Sequence, residues 1–277
     1  MTLSLLSGVT KADVVADPFP HIIVKDCLSD EQCLQLLDGF ASLETVTKGM
    51  EYKSNERFSY CAADVAQNAN VSPLWKELIA YHSSGEFLRE IIDIFGDYLP
   101  QEYPDSKILQ GPPEKLRSGV RNVQTHEEAD VLLDAQICVN TPVVGEASTV
   151  RGPHFDLPDK LYAGLFYLRH PNDDSTGGDL QLYTFKSGKA EGFKGQFIDD
   201  NLVEPVATVP YERNTLVLFL NSARALHGVT PRSVTNWPRF FMNLVGEVPD
   251  QLFDPTSMQC KPSLFDKLSN AKRRILR

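Results

Sequence analysis

The sequence predicts an α+β chain in which helices come first and an antiparallel β-structure follows. Two observations carry this. Helix-start signals and apolar residues at helical spacing occupy the first hundred residues. From Ala135 onward the apolar runs shorten and are punctuated by Gly, Pro, Asn and Asp, with no helical pattern between them. Strands without crossover helices fit a closed or two-sheet antiparallel arrangement better than βαβ units. The 277 residues are read as one domain: 1–131 mostly helical support and loop, 132–247 the β-rich core, 248–277 a helical tail.

In order, Phe19-Pro20 leads into a short apolar strand, His21-Ile-Ile-Val24. Ser29-Asp-Glu-Gln32 is a capping box, and Leu34, Leu36, Leu37 and Phe40 continue at near-helical spacing. Ser72 followed by Pro73 starts a second helix whose apolar face is Leu74, Trp75, Leu78 and Ile79. Phe87, Leu88, Ile91, Ile92, Ile94 and Phe95 make a third, ending near Gly96. Residues 99–131 are rich in Pro, Gly and charge and predict no regular element. Strands are predicted near 135–140, 161–168, 179–184, 204–209, 214–220, 224–229 and 239–246, with 186–203 a flexible insertion. Ser263 caps a final helix with Leu264, Phe265, Leu268 and Ile275 inward. Residues 261–277 hold six Lys/Arg and one acid, so the first reading is a basic helix docked on an acidic body. The second is an oligomer contact, making a homodimer, or a substrate-gating tail.

Apolar residues at 42% against 23% charged residues give the balance of a soluble globular protein. The net charge of −10 argues against a nucleic-acid backbone as the main partner. The cysteines are Cys27, Cys33, Cys61, Cys138 and Cys260; an odd count without a CxxC pair excludes a disulfide framework and a structural zinc site. No stretch approaches the roughly 18 apolar residues of a membrane helix. Met1–Gly8 lacks a basic region and a long apolar run, so a cytoplasmic location with reduced thiols is expected.

The histidines are His21, His82, His126, His154, His170 and His227. An acid two residues after a histidine arises by chance about 0.8 times in this composition, so one such motif is weak. Two occur. His126-Glu-Glu128 lies in the polar excursion, which offers no rigid setting. His154-Phe-Asp156 precedes the predicted strand Leu161–Leu168, which does. A third ligand is available at His227, in Ala225-Leu-His-Gly-Val229. Two imidazoles and one carboxylate on one face of a metal leave open positions, the arrangement of non-haem Fe(II) oxygenases. The usual cosubstrate, 2-oxoglutarate, calls for a bidentate cation, which means Arg. Arg232 falls in a Pro-Arg-Ser turn and is expected to be solvated. Arg239 opens a strand whose alternate residues Arg239, Phe241 and Asn243 share a face, and a strand fixes a side chain better. Arg239 is the choice.

Taken in order, His154-Phe-Asp156, Phe166-Tyr-Leu168, Gly177-Gly-Asp-Leu180, His227-Gly-Val-Thr-Pro231 and Arg239 resemble the 2-oxoglutarate- and Fe(II)-dependent dioxygenases, prolyl-hydroxylase-like branch. The resemblance covers roughly 132–247, and Asp17-Pro-Phe-Pro-His-Ile-Ile-Val24 is similar to bacterial and phage members. It implies a double-stranded β-helix (jelly-roll) core with supporting N-terminal α-helices. It implies Fe(II) on His154, Asp156 and His227, with the 2-oxoglutarate carboxylate on Arg239 aided by Tyr167. With O2 as co-reactant the reaction is hydroxylation, releasing succinate and carbon dioxide. The spacing from His227 to Arg239 is longer than members commonly show, so a small turn insertion is expected. Asp156 occupies the position where related halogenases have a small residue, which disfavours halogenation.

Gln136 and Asn140 are candidate pocket residues, Arg151 a candidate partner for a substrate acid, and Trp237 a candidate pocket border. His21, His82 and His170 read as structural or solvated, and Trp75 as packing. Three functions are expected in order: a hydroxylase of a small molecule, either a free amino acid or a natural-product intermediate; a protein or peptide hydroxylase; and a catalytically silent jelly-roll binding module.

Overall fold

The computed structural model describes residues 3–188 and 195–254. Cys260 and the helix expected after Ser263 lie outside the described residues. The strands are β1 (His21–Lys25), β2 (Arg57–Tyr60), β3 (Ser118–Val120), β4 (Val131–Asn140), β5 (Lys160–Tyr167), β6 (Leu180–Phe185), β7 (Val203–Val209), β8 (Thr215–Leu220), β9 (His227–Val229) and β10 (Arg239–Glu247). The helices are α1 (Asp30–Asp38), α2 (Leu43–Thr47), α3 (Ala62–Gln67), α4 (Pro73–His82), α5 (Gly85–Phe95) and α6 (Leu99–Glu102).

Seven strands make the larger sheet, in the order β1-β8-β5-β10-β4-β2 with β3 also on β4. Its pairings are antiparallel except β3 with β4. The smaller sheet runs β7-β6-β9. All ten residues of β4 are buried, as expected of a strand covered on both faces. Alternation then divides its side chains. Leu133, Ala135, Ile137 and Val139 join the cluster made with Trp75, Leu78, Phe87, Ile91 and Phe95 of α4 and α5. Gln136 and Asn140 point the other way, into a cavity between the sheets. β10 divides likewise, Met242 and Leu244 toward the helices, Arg239, Phe241 and Asn243 toward the cavity. A one-residue slip of either strand would exchange the two sets, so the helix-facing aliphatics hold the cavity residues in register.

The helix starts follow the sequence signals. The Ser29 side chain accepts from the Gln32 N–H while Gln32 reaches back to the Ser29 backbone. Ser72 caps α4 with Pro73 in its first turn, and Ser84 caps α5. Trp75 is fully buried and donates its indole N–H to the Leu36 carbonyl at 2.8 Å.

Several expectations are corrected. β1 falls on the strand expected at His21–Val24, while β2 and β3, which were not expected, also belong to the larger sheet. The 99–131 segment holds α6, two 3-10 turns and β3. The strand expected over 224–229 shortens to His227–Val229, because the N–H groups of Ala225 and Leu226 close turns onto Ser222 and Arg224. The insertion over 186–203 is anchored at its far end: Phe155 donates to the Gln196 carbonyl and Ile198 to the Pro153 carbonyl, at 3.3 and 2.9 Å. Among the described residues no helix is long and apolar enough to cross a membrane.

Candidate active site

His154 and His227 are antiparallel neighbours. Each backbone N–H donates to the other's carbonyl at 2.9 Å. Residues around His154 thereby extend the smaller sheet beyond β9. Gly228 permits the approach, because a Cβ there would lie 2.9 Å from the carbonyl group of Gly152. The two imidazole rings stand 4.2 Å apart between centroids. Asp156 completes the group: one ligand atom from each of His154, Asp156 and His227 lies within 4.8 Å of the others, and all three residues are buried.

Their hydrogen bonds select the state a metal needs. His154 Nδ1 faces the Gly152 carbonyl at 2.8 Å and His227 Nδ1 faces the Ala225 carbonyl at 2.9 Å. A carbonyl only accepts, so both Nδ1 atoms carry the proton and both Nε2 atoms keep a lone pair for a metal. Burial, with the Arg151 charge beside it, pushes His154 down to about 2. Burial also lowers His227 below the ordinary imidazole value. Burial alone would raise Asp156. The neighbouring Lys160 and Arg151 charges oppose it and hold the carboxyl below its usual range. The trio is thus neutral, neutral and anionic, the donor set that suits Fe(II).

These groups open into a cavity of about 410 Å³ between the sheets. Arg239 is buried in its wall. Its guanidinium lies 4.8 Å from the ring centroids of Tyr167 and Tyr211 and 5.0 Å from that of Phe241. Among the described residues its one hydrogen bond is a long one, NH1 to Asn140 Oδ1 at 3.4 Å. Nε and NH2 of Arg239, the Asn140 amide nitrogen and the Tyr167 hydroxyl are all buried without a hydrogen-bond partner of good geometry. A cluster of orphaned donors around a desolvated cation is costly unless an anion with several acceptor atoms completes it. A dicarboxylate end fits that requirement.

Arg232 corrects an expectation. It is not solvated: it is buried, its NH2 donates to Asp173 Oδ2 at 2.8 Å and its Nε to Ser175 Oγ at 2.9 Å. The turn after His227 folds inward and spends this guanidinium on an internal carboxylate. The residues between His227 and Arg239 therefore build a second buried cation beside the first. Both arginines border Gly178. Gly177 and Gly178 have φ of +73° and +76°, and a Cβ on Gly177 would overlap the Pro231 carbonyl oxygen. Gly177 is required by the close approach of the Pro231 carbonyl, and both glycines by their left-handed backbone.

Gln136 and Asn140 line the cavity, and Arg151 reaches Asp156 at 3.5 Å. Trp237 is not in the wall; it stacks on His170, with centroids 4.1 Å apart. His21 and His82 are buried in hydrogen bonds to the protein's own backbone. His126 stands apart from the trio, in the 99–131 segment. Sequence reasoning missed Arg57, Lys160, Arg121 and Tyr211. Lys160 Nζ lies 3.4 Å from Asp156, one helical turn's spacing along the chain. Arg57 and Ser59 alternate on one face of β2, a pattern too short to stand out in sequence.

No family model matches the chain, and no curated protein matches it. Among solved structures, a candidate oxygenase from Shewanella oneidensis is similar over 92% of this chain and 90% of its own length, with a TM-score of 0.50 at 11% identity. A prolyl 4-hydroxylase from Phytophthora capsici is similar over 90% of this chain with a TM-score of 0.45 at 18% identity, and the chain spans 63% of that protein. The α-ketoglutarate-dependent epimerase SnoN from nogalamycin biosynthesis is similar over 82% of this chain and 76% of its own, with a TM-score of 0.46 at 13% identity. At 11% identity the likeness to the Shewanella protein is one of fold.

Proposed function

We propose that this chain is a non-haem Fe(II)- and 2-oxoglutarate-dependent dioxygenase that hydroxylates a C–H bond of a small molecule, with a double-stranded β-helix as its β-core. One observation carries the reading: a His154–Asp156–His227 trio with both Nε2 atoms free shares a cavity with an arginine whose donors are orphaned. Each half alone has a bland explanation. Together they supply a metal and a dicarboxylate with matched partners in one buried space.

Iron, when bound with 2-oxoglutarate and O2, supplies the oxidative decarboxylation that yields succinate and carbon dioxide and the oxidising power for hydroxylation. The chain's own residues do the rest. His154, Asp156 and His227 hold the metal on one side. Arg239, steadied by the faces of Tyr167 and Tyr211, binds the distal carboxylate. Asn140 and the Tyr167 hydroxyl stand ready to donate to the same group. Phe219, Leu180 and Leu165 in the wall exclude water from the reacting region. A cavity of about 410 Å³ holds the cosubstrate and leaves room for a small molecule, such as a free amino acid or a natural-product intermediate. Cys27, Cys33, Cys61 and Cys138 are free thiols, which agrees with a reducing, cytosolic setting.

The test is twofold. Calorimetry with Mn(II) and 2-oxoglutarate in the absence of oxygen should show metal-dependent binding of the cosubstrate. Aerobic incubation with Fe(II) across amino acids and peptides should release succinate, stimulated by small molecules over peptides. A protein that binds neither metal nor 2-oxoglutarate is a binding module and ends this reading.

A further inference from the structure

We infer that the primary substrate enters this cavity by an oxyanion, a carboxylate in the first instance, held between Arg57 and Arg151. The inference rests on the reading of the cavity as an iron and 2-oxoglutarate site and adds the chemical class of the other substrate.

Charge is the starting point. The protein as a whole carries −10. Among the described residues its cavity nevertheless is lined by Arg57, Arg121, Arg151, Lys160 and Arg239 against Asp156 and Glu247. A cationic pocket in an acidic body is a focused field, the kind that gathers anions. Iron(II) and doubly charged 2-oxoglutarate cancel one another, so loading the site leaves the cationic excess in place.

The five cations are not equivalent. Arg121 is satisfied, at 2.9 Å from Glu247 and 3.5 Å from Asp134. Arg239 lies at the buried end, among the tyrosines. Lys160 and Arg151 both lean on Asp156, at 3.4 and 3.5 Å. Those contacts are long, and Asp156 is the carboxylate of the metal trio, so its charge is shared with the metal. Arg57 makes no ion pair among the described residues. Its guanidinium sits 5.3 Å over the Phe241 ring. It is placed by the sheet: Arg57 of β2 and Arg239 of β10 are both register partners of Asn140. One cross-strand row thus carries a cation for each of two anions, the inner one desolvated and the outer one at the mouth.

Arg151 belongs with Arg57, because both line the same cavity. Two guanidinium groups in one cavity wall can share an oxyanion between them. Each offers the planar fork that matches a carboxylate or phosphate. Arg151 is also stacked 5.3 Å over Phe197, which limits its swing. The room left beside the cosubstrate favours a small carboxylic acid over a long chain, and an anion anchored at the mouth directs the rest of the molecule toward the metal trio.

The experiment is calorimetric titration of the Mn(II)-loaded protein, saturated with 2-oxoglutarate and free of oxygen. The titrants are the free amino acids, small hydroxy and keto acids, the matching carboxamides, and inorganic phosphate. Metal and 2-oxoglutarate binding are measured first, so failure of the functional reading is seen before any titrant is added. The expected result is a carboxylate whose carboxamide binds roughly 10-fold or more weakly. Arg57→Gln and Arg151→Gln should each abolish that preference, and Arg57→Lys should restore part of it. Tighter binding of inorganic phosphate, lost in the same variants, keeps the oxyanion and assigns it to a phosphate ester. Equal binding of acids and amides, no binding by any anion, or a preference that survives both Gln variants overturns the proposal. Thermal midpoint and 2-oxoglutarate affinity of each variant separate a folding defect from a lost anion partner.

Discussion

His154 and His227 pair backbone to backbone, each N–H on the other's carbonyl at 2.9 Å, with their rings 4.2 Å apart on one face. The two candidate ligands are therefore fixed by the sheet rather than by loops, and the carbonyls that hold their Nδ1 protons belong to residues two positions earlier in the same segments. Metal affinity at the proposed site should therefore depend on strand pairing.

A metal that binds only the folded state should raise stability by about 2.7 kcal/mol at a free concentration near 100 times its Kd. Unfolding with and without Mn(II) measures this. His154→Ala and His227→Ala should lose the increment, and His126→Ala should keep it. The reverse pattern would mean that the wrong His-x-acid pair has been assigned.

Gly177→Ala should destabilise the protein by at least about 1–3 kcal/mol, because it adds both left-handed backbone strain and a clash with the Pro231 carbonyl oxygen. The damage falls where Arg232 and Arg239 converge, so 2-oxoglutarate affinity should fall with it. Gly145→Ala, also at positive φ but facing open space, is the control for strain alone. Equal denaturant midpoints for the two variants would refute the steric argument.

His82 gives the metal-free protein a pH dependence of known sign. The ring is buried, its Nδ1 donates to the Leu78 carbonyl at 2.7 Å and its Nε2 accepts from the Leu5 N–H at 3.1 Å, so it is neutral. Burial lowers it from 6.5 to about 4. Between those values the unfolded chain binds a proton that the folded chain refuses. Stability is full above pH 6.5 and falls as pH drops toward 4, by up to about 1.4 kcal/mol per pH unit from this group. His154 and His227 act in the same direction. His82→Gln should therefore flatten the slope by about one proton without removing it, as read from urea unfolding across that range. An unchanged slope would place the proton uptake elsewhere.

How far the sequence was legible follows from where the constraints are local. The capping box at Ser29, the Ser72 N-cap with Pro73 after it, the apolar stripe of α5 and the period-two pattern of β10 are written in neighbouring residues, and the structure has them where they were expected. The His154–Asp156–His227 trio could be nominated because its residue types are rare together. β2 and β3 were not legible. Each is short, and each is a strand only because β4 lies beside it. Arg57 was invisible for the same reason: its meaning comes from a register partner, Asn140, that no local pattern reveals. The environment of Arg232 depended on Asp173, which the fold brings in from a separate loop.

Arg232 and Arg239 are two buried guanidinium groups on either side of Gly178, and the last prediction is that they fail differently. Arg232 has its charge answered within the protein by the buried Asp173 carboxylate at 2.8 Å. Removing it leaves that carboxylate with Ser175 and the more distant Arg169, 4.0 Å away, and costs up to about 3–5 kcal/mol of folding stability. Among the described residues Arg239 has aromatic faces and a 3.4 Å contact with a neutral amide but no anion, and two of its nitrogens have no hydrogen-bond partner. Removing it takes away a poorly satisfied charge, so the unliganded fold should lose little. What it should lose is 2-oxoglutarate: a desolvated charge partner is worth roughly 2–5 kcal/mol, about 30- to several-thousand-fold in affinity. Arg232→Ala should thus show a lowered unfolding midpoint, while Arg239→Ala should show a near-native midpoint and a collapsed affinity for the cosubstrate. Measuring both quantities for both variants, with Mn(II) saturating, separates the roles. If Arg232→Ala stayed stable and lost 2-oxoglutarate while Arg239→Ala retained it, the Asp173 pair would have to open in the loaded protein, and the cosubstrate would belong to the arginine of the turn.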